Sequence, residues 1–287
     1  QARSVWLIWF NQINETDHQP GGAYSVDIRI LGCHGSDAFL QDSTGPNRCN
    51  TCSFLVNGTL LLDAGTVASK LSMSEQGQIR HIILSHLHFD HIKGLPMLAD
   101  NLSEQINAPI IVAGLPEVIY GLQRHIFNAD VYPDFFSIPS PERPTLTSSH
   151  LKPGNMYSFS GVDITPILVH HTVPTTGFIV QDRSSAFVYS GDTYSTDELW
   201  HEAKLIPHLK AAFIECSYPN SMMELAHMSK HLTPALLAQE FRKLNRADIS
   251  VYPYHLKPAY KDQILRELRE LSIPGLTVLE EDHTLTI

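Results

Sequence analysis

The stretch LSHLHFDHIKG, Leu84 to Gly94, sets His86, His88, Asp90 and His91 within six consecutive positions. Imidazole nitrogens and a carboxylate at that density form a donor set for divalent transition metals. The apolar run HIIL before it reads as a buried strand that delivers the motif at its C-terminal end. His86 and His88 are two apart at a strand end, so their side chains lean the same way. A turn after His88 would swing Asp90 and His91 to the same point from the other side. One zinc site takes three or four ligands, and this stretch alone nearly fills that quota, so the pattern suits two neighbouring ions. Further donors stand at the ends of other expected strands: His170 and His171 in VHHTVP, Asp192 in YSGDT and His255 in YPYHLKP. A lone histidine after a strand is ordinarily a hydrogen-bonded surface or core residue, and His255 or Asp192 taken singly would be read so. HxHxDH followed by His, Gly-Asp and His at successive strand ends reverses that reading. Asp192, one residue after a glycine, is placed to bridge two cations.

The elements that must position these residues appear in two blocks of similar grammar. In the first, YSVDIRILG alternates like a half-buried strand, and SFLVNGTLLLDAG is a hairpin around Asn57-Gly58, two residues that tolerate positive φ. GLPMLADNLSEQ then reads as a helix, PIIVAG as a strand and LPEVIYGLQRHIFN as a helix with apolar spacing near 3.6. The second block has strands in VDITPILVHH, TGFIVQD, SAFVYSGD, AAFIECS and ISVYPYH. Its helices are TDELWHEAKLIPHL, TPALLAQEFRKL and YKDQILREL, with Thr233 and Pro234 an N-cap and N1 pair. Hairpins in both blocks favour an α/β architecture, two mixed β-sheets packed face to face with helices outside, over a single parallel sheet. The chain reads as one domain over 1–287, built from two similar halves, with an irregular segment at 1–22. Residues 130–150, rich in Pro and Ser, are longer than an inert connection needs, which makes them a candidate substrate loop.

Composition narrows the function classes. The chain has 287 residues, 43% hydrophobic and 17% charged, enough for a well-buried core. No apolar run approaches the roughly 20 residues of a membrane span; VWLIWF, Val5 to Phe10, reads as an edge strand or a stray segment. The net charge is −10, from 30 acidic and 20 basic residues, and no basic block occurs. Long nucleic acids, which are gripped through Lys and Arg on phosphates, are therefore disfavoured. A small anionic substrate is not, because bound cations supply local positive charge. CNTC, Cys49 to Cys52, has no second CxxC to complete a zinc knuckle. A disulfide among Cys33, Cys49 and Cys52 is the expectation for an exported protein, and inert thiols the expectation otherwise. The start at Gln1 without Met and the paired cysteines lean toward the periplasm or secretion, with the cytoplasm as the alternative. A homodimer is compatible with all of this.

The series of motifs from LLLDAG to YPYHLKP resembles the metallo-β-lactamase fold superfamily. The resemblance implies an αββα four-layer sandwich with two metal ions. One would take His86, His88 and the histidine of the third motif; the other would take Asp90, His91 and His255, with Asp192 shared. The superfamily pattern H-x-V-x-x-x-G-[YF] falls on HTVPTTGF and selects His171 over His170. Asp63 in LLLDAG matches a position that orients a ligand imidazole. IECSYPNSMMELAHMSKHLTPALLAQE, GLQRHIFNADVYPDF and HTVPTTGF are similar to class II cyclic-nucleotide phosphodiesterases, with Phe89 standing where Leu is common. That similarity implies hydrolysis of 3′,5′-cyclic nucleotides, cyclic AMP or cyclic GMP, to nucleoside 5′-monophosphates. The expected course is in-line attack of hydroxide held between the cations and departure of the ribose 3′-oxygen.

By its match to a histidine of related phosphodiesterases, His231 is the expected proton donor to the leaving oxygen. Without the resemblance, His231 reads as a helix-start histidine bonded to backbone. Glu215 either orients it or simply ends its strand, and His227 is a surface or supporting residue. Asp90 is a ligand that also holds the nucleophile. Zinc suits the histidine-rich shell, with manganese or iron as alternatives. Phe127, Tyr132 and Phe136 read as core rather than as a base-stacking set. Three rival readings share the scaffold. A lactone hydrolase would use Tyr194 to polarise a carbonyl but leaves HLTP unexplained. A tRNA 3′-processing endonuclease needs a basic arm that this acidic chain lacks. A non-catalytic metal sensor sits poorly with a full ligand set.

Overall fold

The computed structural model describes residues 25–42, 45–105 and 107–287. The expected irregular segment at 1–22, with VWLIWF, lies outside the described residues. Two mixed sheets dominate. In spatial order the first runs Leu146–His150, Ile110–Gly114, His81–Ile83, Leu60–Leu62, Ser53–Val56, Asp27–Gly32 and Thr284–Thr286. Its first four strands are parallel and the remaining pairings antiparallel. The second runs Tyr157–Phe159, Val162–Leu168, Thr176–Gln181, Ala186–Tyr189, Leu209–Glu215 and Ser250–Tyr254. It is antiparallel up to Ala186–Tyr189 and parallel beyond.

The inner faces meet in one core in which Ile30, Phe54 and Leu62 pack with Phe178, Tyr189, Phe213 and Tyr254. Phe54 stands edge-on to Tyr189 at 5.2 Å and to Phe213 at 5.6 Å, the quadrupole-favoured arrangement. On the outer face of the first sheet, helices Leu95–Leu102 and Pro116–His125 cover Ile82 and Val112. On the second, helices Glu198–Lys204, Pro234–Leu244 and Lys261–Arg269 cover Ala212 and Ile214. The result is the expected αββα sandwich. Ala211 and Phe213 point into the inner core while Ala212 and Ile214 point into the outer one. Both faces of such strands are buried, so HIIL and AAFIE are continuous apolar runs rather than alternating ones.

Local chemistry sets the element ends as expected. Asn57 and Gly58 take positive φ, 49° and 70°, in the hairpin. Thr233 caps Pro234–Leu244 by accepting the Leu236 N–H at 3.4 Å. Pro253 lies in the strand at the second sheet's edge, where its missing N–H costs no ladder bond.

Three expectations are corrected. The end of the proposed loop at 130–150 is a strand, Leu146–His150, parallel to Ile110–Gly114; LTSSH is polar because it is a half-covered edge. Earlier in that segment Phe135 is buried in the outer core, with Phe127 buried beside it and Tyr132 and Phe136 packed on it, so those aromatics are core residues. The helix in TDELWHEAKLIPHL stops at Lys204, because Leu209 already opens the next strand. Cys33, Cys49 and Cys52 are separate buried thiols rather than a disulfide; Cys52 donates to the carbonyl of His34 at 3.5 Å, and burial raises the pKa of all three. Among the described residues no helix is long and apolar enough to cross a membrane.

Candidate active site

All the motif residues gather at one end of the two sheets. His86 follows the strand His81–Ile83, and a short helix, Phe89–Ile92, provides the turn that brings Asp90 and His91 round. His171, Asp192 and His255 follow Val162–Leu168, Ala186–Tyr189 and Ser250–Tyr254. Close backbone approach makes this possible. A Cβ on Gly65 would lie 2.2 Å from the Asp90 carbonyl oxygen, and one on Gly191 (φ +61°) 2.7 Å from that of Thr176. His255 and Asp63 also take positive φ, 65° and 55°, a conformation that costs a non-glycine residue about 1–3 kcal/mol and recurs at functional sites.

Two donor groups result, and a third set, Asp192, His231 and His255, overlaps them. His86, His88, His171 and Asp192 each present a ligand atom within 4.8 Å of the others, as do Asp90, His91 and His255. Asp192 joins the groups: its Oδ2 lies 3.7 Å from His86 Nε2, 3.3 Å from His91 Nε2 and 3.2 Å from His255 Nε2. His255 Nε2 is also 3.3 Å from Asp90 Oδ2, and His171 Nε2 is 3.1 Å from His88 Nδ1. His170 is exposed, with its Nδ1 bonded to the Ser195 carbonyl at 2.8 Å, outside both groups. Of the adjacent pair, His171 is therefore the one brought to the centre.

Buried polar atoms without partners cost several kcal/mol unless something satisfies them. His86 Nε2, His91 Nε2 and Asp192 Oδ1 are such atoms, and all three face this centre. Divalent cations fit that need. A second donor cluster, Cys33, His34 and Glu281, offers the contrast. There Glu281 accepts from the Asn50 N–H at 2.7 Å and pairs with His34 at 2.9 Å and Lys70 at 3.2 Å, so its bonds are complete without an ion.

Two buried carboxylates aim the imidazoles. Asp63 accepts four donors: the Ser85 N–H and hydroxyl, each at 2.8 Å, and His91 Nδ1–H and the Tyr189 hydroxyl, each at 2.7 Å. Ser85 in turn accepts from His86 Nδ1–H at 2.9 Å. Across the centre, Glu215 accepts from His231 Nδ1–H at 2.7 Å and from the Ser217 hydroxyl at 3.0 Å, while Ser217 accepts from His255 Nδ1–H at 2.8 Å. Glu215 also holds the Thr193 N–H, next to Asp192, at 3.0 Å and the Leu232 N–H at 3.2 Å. His171 Nδ1–H goes to the Lys230 carbonyl at 3.0 Å. His86, His91, His171 and His255 thus carry Nδ1–H and present Nε2. Sequence reasoning missed Ser85, Tyr189 and Ser217; each neighbours a quoted motif, but a serine or tyrosine there carries no signal of its own.

The charges follow from these contacts. Burial holds His86 well below the usual histidine range and brings His171 down to about 4, so both imidazoles are neutral donors. Burial also works against ionisation of Asp192, but His255 and His91 more than reverse it and hold the carboxyl well below its usual range. Asp90 behaves alike, with burial opposed by the bond from His255. His231 differs. Beside His231, which is stacked 5.3 Å from His255, Glu215 outweighs burial and raises the pKa, which favours the protonated ring.

Residues 59–256 match the family model described as the Beta-lactamase superfamily domain. The chain belongs to that family. Among curated superfamily relatives it is 29% identical over 244 residues to 3′,5′-cyclic-nucleotide phosphodiesterase 1 of Saccharomyces cerevisiae, over 70% of this chain and 66% of that protein. It is 26% identical over 214 residues to a probable 3′,5′-cyclic-nucleotide phosphodiesterase of Yersinia pestis, over 66% of this chain and 61% of that protein. The matches span just under two thirds of both relatives. The superfamily fold is shared with the crystal structure of unliganded yeast PDE1, at a TM-score of 0.75 and 24% identity, covering 92% of this chain and 99% of that one.

Proposed function

We propose that the chain is a dinuclear metal-dependent phosphodiesterase that opens 3′,5′-cyclic nucleotides to nucleoside 5′-monophosphates. The observation that carries this reading is Asp192 shared between two histidine groups, with a carboxylate-backed His231 beside them. His86, His88 and His171 would hold one divalent ion and Asp90, His91 and His255 the other, with Asp192 between them. Zinc suits this donor set, and manganese or iron are the alternatives. When bound, such a pair supplies positive charge to the phosphoryl oxygens and makes water a nucleophile at neutral pH.

The chain's own residues supply the rest. The Asp63 and Glu215 networks fix which nitrogen each imidazole offers, so little reorganisation is needed as charge develops. Asp90, ionised, helps hold the attacking water. His231 has Nδ1 committed to Glu215 and Ser217, which leaves Nε2 to deliver a proton to the departing ribose 3′-oxygen. The names of the yeast and Yersinia relatives support the same substrate class. The Tyr194 ring, whose hydroxyl a lactonase would use, packs on His227 at 5.2 Å and under the Lys230 ammonium at 5.3 Å.

Metal-replete protein assayed in parallel on cyclic AMP, cyclic GMP, an acyl-homoserine lactone and a generic phosphodiester is the test. Release of nucleoside 5′-monophosphate, with two divalent ions per chain by elemental analysis, is the expected result. Lactone turnover without cyclic-nucleotide cleavage would overturn the proposal.

A further inference from the structure

Beside the centre lies a cavity of about 740 Å³ that the proton donor and ligand geometry leave unused. His171 belongs to both: its Nε2 turns to His88, and its backbone neighbours form the cavity wall. The cavity therefore adjoins the centre at His171. Its size is that of a pocket for a whole small ligand.

Its walls are mixed in a specific way. Leu168, 48% exposed, and Pro174 give apolar surface. The His170 ring is fixed by its Nδ1–H bond to the Ser195 carbonyl, so it offers a flat, preset face. Asp197 and Glu198, both exposed acidic residues, also line it. Asp197 is paired with the Lys243 ammonium at 2.8 Å, whereas Glu198 has no hydrogen-bond or ion-pair partner among the described residues. One open carboxylate beside a flat ring and an apolar wall suits a planar heterocycle that carries adjacent N–H donors.

Resting on the phosphodiesterase reading, we infer that this cavity takes the nucleobase of the cyclic nucleotide and that Glu198 makes guanine the preferred base. A carboxylate only accepts hydrogen bonds. Guanine shows two neighbouring donors, N1–H and the N2 amino group, which match its two oxygens. Adenine shows one amino donor beside the N1 lone pair, so one carboxylate oxygen faces an acceptor. Specificity of this kind comes as much from the unpaired or repelled group as from the bond made.

The experiment measures kcat/KM for cyclic GMP and cyclic AMP on the holoenzyme and on Glu198→Gln, together with calorimetric binding of 5′-GMP and 5′-AMP to both proteins. A glutamine amide offers one donor and one acceptor, which matches adenine. We expect wild type to favour the guanine nucleotide and Glu198→Gln to shift the GMP-to-AMP ratio at least about tenfold toward adenine, in turnover and in binding. An unchanged ratio, or a wild type that favours the adenine nucleotide, overturns the inference. If neither cyclic nucleotide is cleaved, the phosphodiesterase reading fails, and the monophosphate binding ratio still decides the cavity's occupant.

Discussion

Asp63 and Glu215 face one another across the centre and are wired alike. Each is fully buried, each accepts directly from one histidine, and each reaches a second histidine through a serine. They differ in what they hold. Asp63 serves two expected ligands, His91 and His86, and is closed off by the Tyr189 hydroxyl. Glu215 serves one expected ligand, His255, and one histidine outside the proposed ligand set, His231. Each carboxylate raises the pKa of the imidazole it holds directly, Asp63 that of His91 and Glu215 that of His231. What separates the two is that His91 belongs to the proposed ligand set and His231 does not.

Replacing Asp63 by alanine should have the largest effect, because it strands four buried donors at once. We expect unfolding free energy to fall by about 3–5 kcal/mol and bound metal to be lost, read by denaturant melts and elemental analysis. Glu215→Gln should cut kcat by about 10²–10⁴, the usual range for general acid catalysis, with most of the bound metal retained. Loss of metal equal to that of Asp63→Ala would erase the distinction between the two carboxylates.

Ser217→Ala sharpens it further. It should weaken binding of the ion held by His255 by about 10–100-fold, seen by chelator competition, and leave the His231–Glu215 pair in place. A drop in kcat at saturating metal as large as that of Glu215→Gln would make Ser217 part of the proton path instead.

The pair His34–Glu281 is the same device without a task, and Glu281→Gln is its control. We expect unchanged metal content and turnover, and a loss of about 1–3 kcal/mol at neutral pH. Burial pushes the Glu281 pKa up, but the bonds from His34 and Asn50 win and hold it below its ordinary 4.5. The stability it adds is thus complete above that value and disappears as pH falls through the lower folded value. In Glu281→Gln, that part of the acid limb in a pH series of melts should be missing.

Much of this centre was legible in the chain because its signals are short-range. HxHxDH, the GD after SAFVYS and the histidine after ISVYPY all sit at ends of runs whose periodicity marks strands, and parallel strands deliver their C-terminal ends to one side. The role of His231 came through family resemblance, since nothing in HLTP distinguishes a proton donor from a helix-start residue. Of the two readings of the cysteines, free thiols rather than a disulfide is the one found, because CNTC spacing says nothing about where Sγ atoms point.

By itself the sequence determined which residue types stand at the strand ends and which runs are buried on both faces, because those depend on patterns a few residues long. Only the tertiary structure decided that Asp63 meets Tyr189 over 126 positions of chain, that Ser217 links His255 to Glu215, and that Glu215 holds His231 rather than merely ending a strand. Those choices turn on the satisfaction of buried polar atoms. That is a three-dimensional condition, with no trace in spacing along the chain.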